Sequence, residues 1–347
     1  MESTGVCSLI PELVDQHLDL FACPACGGAM AVTEDRCSME CCDCGQTFGS
    51  EAGIPLLFWP NEWDEAKEDV TEKIKAFYEE TPFPNYDDLD SKWSLREKAR
   101  KGVFARLLDE QIPHGTKILE VGCGTGQLSN FLGMTWGRTV FGADLCLNSL
   151  KLGQGFRGRN QIDQVGFLQM NLFRPVFRPG SFDLVICNGV LHHTSDPHLG
   201  FQSISGLVKE GGFILVGLYN SYGRIANDLR RSLFRLSGNR LTFLDRRLRR
   251  KDLSDVRKRT WFMDQYRNPH ESAHSIGEVL EWFDEEGFEF VNSIPKSRAG
   301  SAFSAEEQLF EPDRAGGKVD HFLVQMGMLL SGGREGGFFI MIGRKKA

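Results

Sequence analysis

The chain has 347 residues, enough for two ordinary domains or one domain with large additions. Forty Lys and Arg stand against 47 Asp and Glu, a formal net charge of −7 that excludes a globally basic nucleic-acid binder. Hydrophobic residues are 41% and charged residues 25%, the balance of a chain that packs a core and not of a disordered one.

The first twenty residues, MESTGVCSLIPELVDQHLDL, are acidic and lack the basic start of a signal peptide. No window reaches the roughly 18 apolar residues of a spanning helix. Both features predict a cytoplasmic protein without a membrane span. Cys23, Cys26, Cys37, Cys41, Cys42 and Cys44 cluster early in the chain. Cys23-Pro24-Ala25-Cys26 and Cys41-Cys42-Asp43-Cys44 are two C-x-x-C knuckles separated by fourteen residues. Each turn converges two thiolates, and two turns joined by a hairpin complete a tetrahedral four-sulfur zinc site. Cys23, Cys26, Cys41 and Cys44 are the expected ligands, with Cys42 an alternative to Cys41. Four sulfurs leave no open position, so the site reads as structural Zn2+.

From Asn61 to Pro113 the text turns charged and helical. Val70, Ile74, Phe77 and Tyr78 lie on one face of a predicted helix over 65–80, which stops at Thr81-Pro82-Phe83-Pro84-Asn85-Tyr86. This aromatic stretch reads either as a lid over a site or as a buried linker. A second helix is predicted over 93–110. From Lys117 the rhythm becomes strand, turn, helix, with strands at 117–121, 139–143, 165–169, 182–187 and 212–218. That alternation implies a parallel sheet covered on both faces. Two later strands, 288–293 and 338–343, follow a helix that opens on the capping box Ser275-Ile276-Gly277-Glu278.

The first strand runs into Glu120-Val121-Gly122-Cys123-Gly124-Thr125-Gly126. The dinucleotide spacing G-x-G-x-x-G fails here, because the sixth position is Gln127. The second strand ends in Asp144-Leu145 and the third in Met170-Asn171-Leu172. The fourth continues through Asn188-Gly189-Val190-Leu191-His192-His193 to Asp196-Pro197. Together with Leu207-Val208-Lys209-Glu210-Gly211-Gly212, this series resembles the class I S-adenosylmethionine-dependent methyltransferases, in their ubiquinone/menaquinone C-methyltransferase branch. The N-terminal cysteine module resembles the small zinc ribbons that partner tRNA and release-factor methyltransferases.

The resemblance implies an α/β fold: a doubly wound, seven-stranded methyltransferase (Rossmann-like) sheet with an antiparallel final strand, a small N-terminal zinc ribbon and a helical cap. The expected divisions are a ribbon over 15–60, a cap over 61–114 and a methyltransferase domain over 115–347. S-adenosyl-L-methionine is the implied cofactor. Glu120, Gly122, Gly124 and Gly126 would meet its methionyl end, Asp144 its ribose and Leu145 the adenine. Asn171, Leu172 and Asn188 complete the set, with Asn171 standing where the family commonly has Asp. Methyltransferases acting on planar amino nitrogens carry Asn/Asp-Pro-Pro-aromatic after the fourth strand. Asn188-Gly189-Val190-Leu191 departs from that, which points to a small-molecule or lipid-like acceptor methylated at carbon or oxygen.

His192, His193 and Tyr219 are the candidate catalytic residues, set against a plain packing role. His270-Glu271-Ser272-Ala273-His274 has the letters of a zinc-protease motif. It follows Pro269 and precedes the cap Ser275, so a helical metal face is not expected. His270, Glu271 and His274 are assigned instead to a substrate pocket. Residues 224–267 form a basic insertion with fourteen Lys or Arg against five Asp. Its aromatics suffice to dock it on the domain. Two other readings stay open: an RNA methyltransferase gripping RNA with ribbon and insertion, and a non-catalytic cofactor-binding regulator whose ribbon docks a protein partner.

Overall fold

The computed structural model describes residues 8–63, 69–84, 86, 89, 91–245, 247–250, 253–331 and 337–347. A single turn of helix, α1 (Glu12–Asp15), leads into four short strands, β1 (Met30–Val32), β2 (Ser38–Cys41), β3 (Thr47–Glu51) and β4 (Ile54–Pro55). They form an antiparallel sheet in sequence order. Met30, Met39, Cys41 and Phe48 face inward and share one apolar cluster with the main sheet. The Phe21, Phe141, Phe177 and Phe182 rings interlock there, with centroids 4.8–6.2 Å apart.

Three helices follow: α2 (Thr71–Glu80), α3 (Lys92–Lys101) and α4 (Val103–Gln111). The start of the helix predicted over 65–80 lies outside the described residues as far as 68. The helix predicted over 93–110 is two helices. Gly102 takes an extended ψ of 119° and breaks the run, consistent with the low helix propensity of glycine. Ser91 and Ser94 cap α3 reciprocally.

The main sheet then builds from β5 (Lys117–Val121), α5 (Gln127–Leu132), β6 (Thr139–Asp144), α6 (Leu147–Asn160), β7 (Val165–Gln169), β8 (Phe182–Asn188), α7 (Pro197–Ser205) and β9 (Val208–Tyr219). Next come α8 (Ser221–Leu236), α9 (Asp255–Arg267), α10 (Ile276–Glu285), β10 (Phe288–Ile294), α11 (Lys318–Leu330) and β11 (Phe338–Lys345). Strand order is β10-β11-β9-β8-β5-β6-β7. Strands β9, β8, β5, β6 and β7 pair in parallel, and β11 inserts antiparallel between β9 and β10. Alternate residues enter opposite cores: Leu119 and Val185 one, Ile118 and Leu184 the other. This two-sided burial is why these strands read as mostly apolar runs and not as strict alternation. The order reverses at β5, so the carboxyl ends of β5, β6 and β8 frame a crevice.

Candidate active site

The turn after β5 is where the backbone must come close to a neighbour. Gly124 has φ +54°, and a Cβ there would sit 2.3 Å from the Phe83 carbonyl oxygen. Only glycine lets the loop pass beneath that segment. The segment is held on the loop from both sides. Tyr86 Oη donates to the Thr125 carbonyl at 2.9 Å, Asn130 Nδ2 donates to Tyr86 Oη at 2.8 Å, and Thr125 Oγ1 donates to the Pro84 carbonyl.

Asp144, at the end of β6, accepts from Gly124 N at 2.7 Å through Oδ2 and from Cys146 N at 2.8 Å through Oδ1. Burial pushes its carboxyl up to about 6. Glu120 accepts from Ser129 Oγ, and burial pushes it up to about 7. Both carboxylates border a cavity of about 590 Å³. Gly122, Gly124, Leu145, Asn171, Leu172 and Asn188 border it too. Gly126 lies behind the loop against the Phe167 ring. Asn171 is fixed from outside the sheet, donating to the Trp59 carbonyl at 3.0 Å and to Asn61 Oδ1 at 2.7 Å.

The opposite wall comes from α2 and from the insertion. Tyr78 Oη donates to Asp264 Oδ1 at 3.0 Å and accepts from Asn268 Nδ2 at 3.0 Å. Gln265 Nε2 donates to Tyr219 Oη at 2.6 Å and to Asp264 Oδ2 at 2.8 Å. Burial pushes the Tyr78 and Tyr219 phenols well above their ordinary range, so both stay neutral. His193 also borders the cavity. Its Nδ1 lies 2.9 Å from the His270 carbonyl, which can only accept, so Nδ1 carries the proton and Nε2 the lone pair. Burial lowers the His193 pKa and favours that neutral form. Asp264, Gln265 and Trp261 carry no local sequence signature. Only the aromatics of the basic segment hinted that it packs here.

Several assignments change. His192 is buried behind the wall, its ring 4.2 Å from those of His193 and Tyr219, and it does not border the cavity. His270, Glu271 and His274 do not border it either. Glu271 is held in a buried two-point ion pair with Arg224, at 2.5 and 2.6 Å. His274 Nδ1 meets Glu278 Oε1 at 2.8 Å, and its Nε2 meets Ser272 Oγ at 2.8 Å. An electroneutral pair under the wall is a cheaper use of Glu271 than facing an apolar cavity unpaired.

In the N-terminal sheet, the Sγ atoms of Cys23, Cys26, Cys41 and Cys44 all lie within 4.8 Å of one another. Cys23 and Cys44 are 3.8 Å apart, Cys26 and Cys41 3.4 Å. Four sulfurs about 2.3 Å from a tetrahedral Zn2+ would be about 3.8 Å apart. The donor set fits zinc, and Cys41 takes the place that Cys42 could have held.

Residues 119–216 match the family described as a methyltransferase domain. That stretch is a class I methyltransferase domain. An uncharacterized protein of Synechococcus sp. is 24% identical over 279 residues, 72% of this chain and 64% of its own length. A ubiquinone biosynthesis O-methyltransferase of Chromobacterium violaceum is 35% identical over 108 residues, 30% of this chain and 45% of its own. A probable fatty acid methyltransferase of Pseudomonas putida is 35% identical over 123 residues, 34% of this chain and 31% of its own. The chain thus spans less than two thirds of the length of these relatives. PKMT2 from Rickettsia typhi shares the methyltransferase fold with a TM-score of 0.50, at 14% identity over 71% of this chain and 53% of that one.

Proposed function

We propose that the cavity binds S-adenosyl-L-methionine and methylates a small or lipid-like acceptor at oxygen or carbon. The observation that carries this is the opening of loop 122–124 and Asp144 into the same cavity as a neutral imidazole, that of His193. When bound, the cofactor supplies an electrophilic methyl group on a sulfonium.

The chain's residues supply the rest. Each Asp144 oxygen keeps lone-pair capacity beyond its backbone bond, for the ribose hydroxyls. Glu120 offers a buried carboxylate to the cationic methionyl end, and Leu145 an apolar cover for the adenine. His193 Nε2 takes the acceptor proton as the new bond to methyl forms. Tyr78 and Tyr219, each tied to the Asp264–Gln265 pair, keep the far wall rigid. Val70, Ile74, Val190 and Phe338 give the cavity the apolar lining that holds water away from the methyl group. The names of two relatives, a fatty acid and a ubiquinone-biosynthesis methyltransferase, agree with a lipid-like acceptor. Cys23, Cys26, Cys41 and Cys44 hold Zn2+ as a structural ion. The ribbon resembles one that partners other methyltransferases, and here it rides on the same chain as its core.

The test is label transfer from S-adenosylmethionine in cell extract, separated into RNA, protein and organic-soluble fractions. Label in the organic-soluble fraction, with kcat reduced about 10²–10⁴-fold in His193→Gln, is expected. Label confined to RNA would replace this acceptor class with the second reading.

A further inference from the structure

Helix α8 buries polar side chains along with one aromatic: Arg224 is 1% exposed and Asn227 2%, with Phe234 at 1% further along the same side. It presents Ile225, Leu229, Leu233 and Leu236 to solvent, at 41%, 62%, 43% and 87%. The spacing of 4, 4 and 3 residues makes these one stripe along the helix. The buried side cannot turn outward, because Arg224 is locked to Glu271 and to Gln265 Oε1, and Arg231 donates to the Asn268 carbonyl. The apolar stripe is therefore exposed by construction.

Helix α11 packs beside α8 and continues the surface. Tyr222 at the start of α8 meets Phe322 edge to face at 6.2 Å. Val319, Phe322, Leu323 and Leu330 of α11 are all exposed. The segment that carries the α8 stripe, 224–267, has fourteen Lys or Arg against five Asp, a net +9 in a chain of net −7. Arg235, Arg240 and Arg249 of this segment are exposed.

We propose that the α8–α11 face docks on an anionic phospholipid surface. Leucines beside arginines are the chemistry of an interfacial helix: the apolar stripe enters the acyl boundary and the cations meet lipid phosphate. A nucleic acid would use the charge and leave the leucines in water. A symmetric second copy would set one +9 segment against another. No helix among the described residues is long and apolar enough to cross a membrane, so the association is with the surface. The same insertion borders the cavity through Arg247, Trp261, Asp264 and Gln265, so one segment carries both the apolar stripe and part of the cavity wall. The proposal does not depend on which acceptor is methylated, because vesicle binding needs no turnover.

The experiment is flotation of the full-length protein with phosphatidylcholine vesicles, with and without phosphatidylglycerol. Binding is expected only with the anionic lipid, falling as salt rises. L229E/L233E, at exposed positions outside the cavity, is expected to lower partitioning on the order of tenfold or more. Zinc content and near-UV circular dichroism should be unchanged in that variant. R235A/R240A is expected to weaken binding and flatten its salt dependence. The proposal is overturned if anionic vesicles are not bound, or if L229E/L233E binds as well as the parent. It is also overturned if light scattering finds a dimer that the same substitution dissolves.

Discussion

Asp144→Ala tests the cofactor assignment and the fold together. A carboxylate at a strand end facing a cleft would, from sequence alone, carry little folding role. The structure places it in two charge-assisted bonds to backbone N–H groups, at 2.7 and 2.8 Å. Such bonds contribute about 1.5–3 kcal/mol each when intact. The alanine cavity admits water to Gly124 N and Cys146 N and removes a buried carboxylate that resists ionisation. The net loss of stability should be about 1–3 kcal/mol. Loss of the ribose acceptor should weaken S-adenosylmethionine binding on the order of tenfold to several hundredfold. Asp144→Asn keeps one acceptor oxygen and turns an NH2 towards one of the two N–H donors, so it should also be destabilised despite its matching shape. Urea unfolding and calorimetric titration separate the two effects. Unchanged affinity in a folded Asp144→Ala protein would refute the ribose placement, and with it the register of the whole motif series.

Glu120 is held up to about 7 by burial, so its favourable contribution is complete below its ordinary range and is lost as pH rises through 7. Glu120 alone should lower cofactor-free stability by on the order of 3 kcal/mol between about pH 4.5 and 8, and Glu120→Gln should remove that part of the slope in urea midpoints. Cys26→Ser should abolish stoichiometric zinc and melt β1–β4, with loss read by metal analysis and hydrogen exchange. It should also weaken cofactor binding, because Asn171 is held by Trp59 and Asn61. Arg224→Leu strands Glu271 in the interior and should cost about 3–5 kcal/mol in chemical unfolding, partly recovered in the double variant Arg224→Leu/Glu271→Leu.

The strands were legible because two-sided burial writes itself as runs such as Leu184–Cys187, bounded by Asp183 and Asn188. The glycine loop was legible because tight turns demand specific residue types. The break at Gly102 was not, since one glycine inside a helical pattern is usually tolerated. The far wall was invisible for another reason. Tyr78 and Asp264 are 186 residues apart and carry no shared pattern, so only the folded chain brings them together. The pocket role expected of His270, Glu271 and His274 rested on where their loop falls after the fifth strand, which does not say which way the side chains face. Here Glu271 turns inward to an arginine and His274 to Glu278. Cys41 and Cys42 could be told apart only in three dimensions, where alternation along β2 buries Cys41 and exposes its neighbour.

Strand β7 is the last strand of the main sheet and carries an open row of peptide groups. The chain leaving β4 lies along it: Leu56 bridges to Gln169, and Leu57 N donates to the Gln169 carbonyl at 3.1 Å. The N-terminal cysteine module therefore covers the carboxyl end of an edge that would otherwise invite pairing with another molecule. A chain made under zinc starvation would lose more than an appendage. It would expose both β7 and the phenylalanine cluster, so aggregation would compete with the weakened cofactor binding expected of Cys26→Ser. The cellular supply of the metal would then set how many copies of the protein persist.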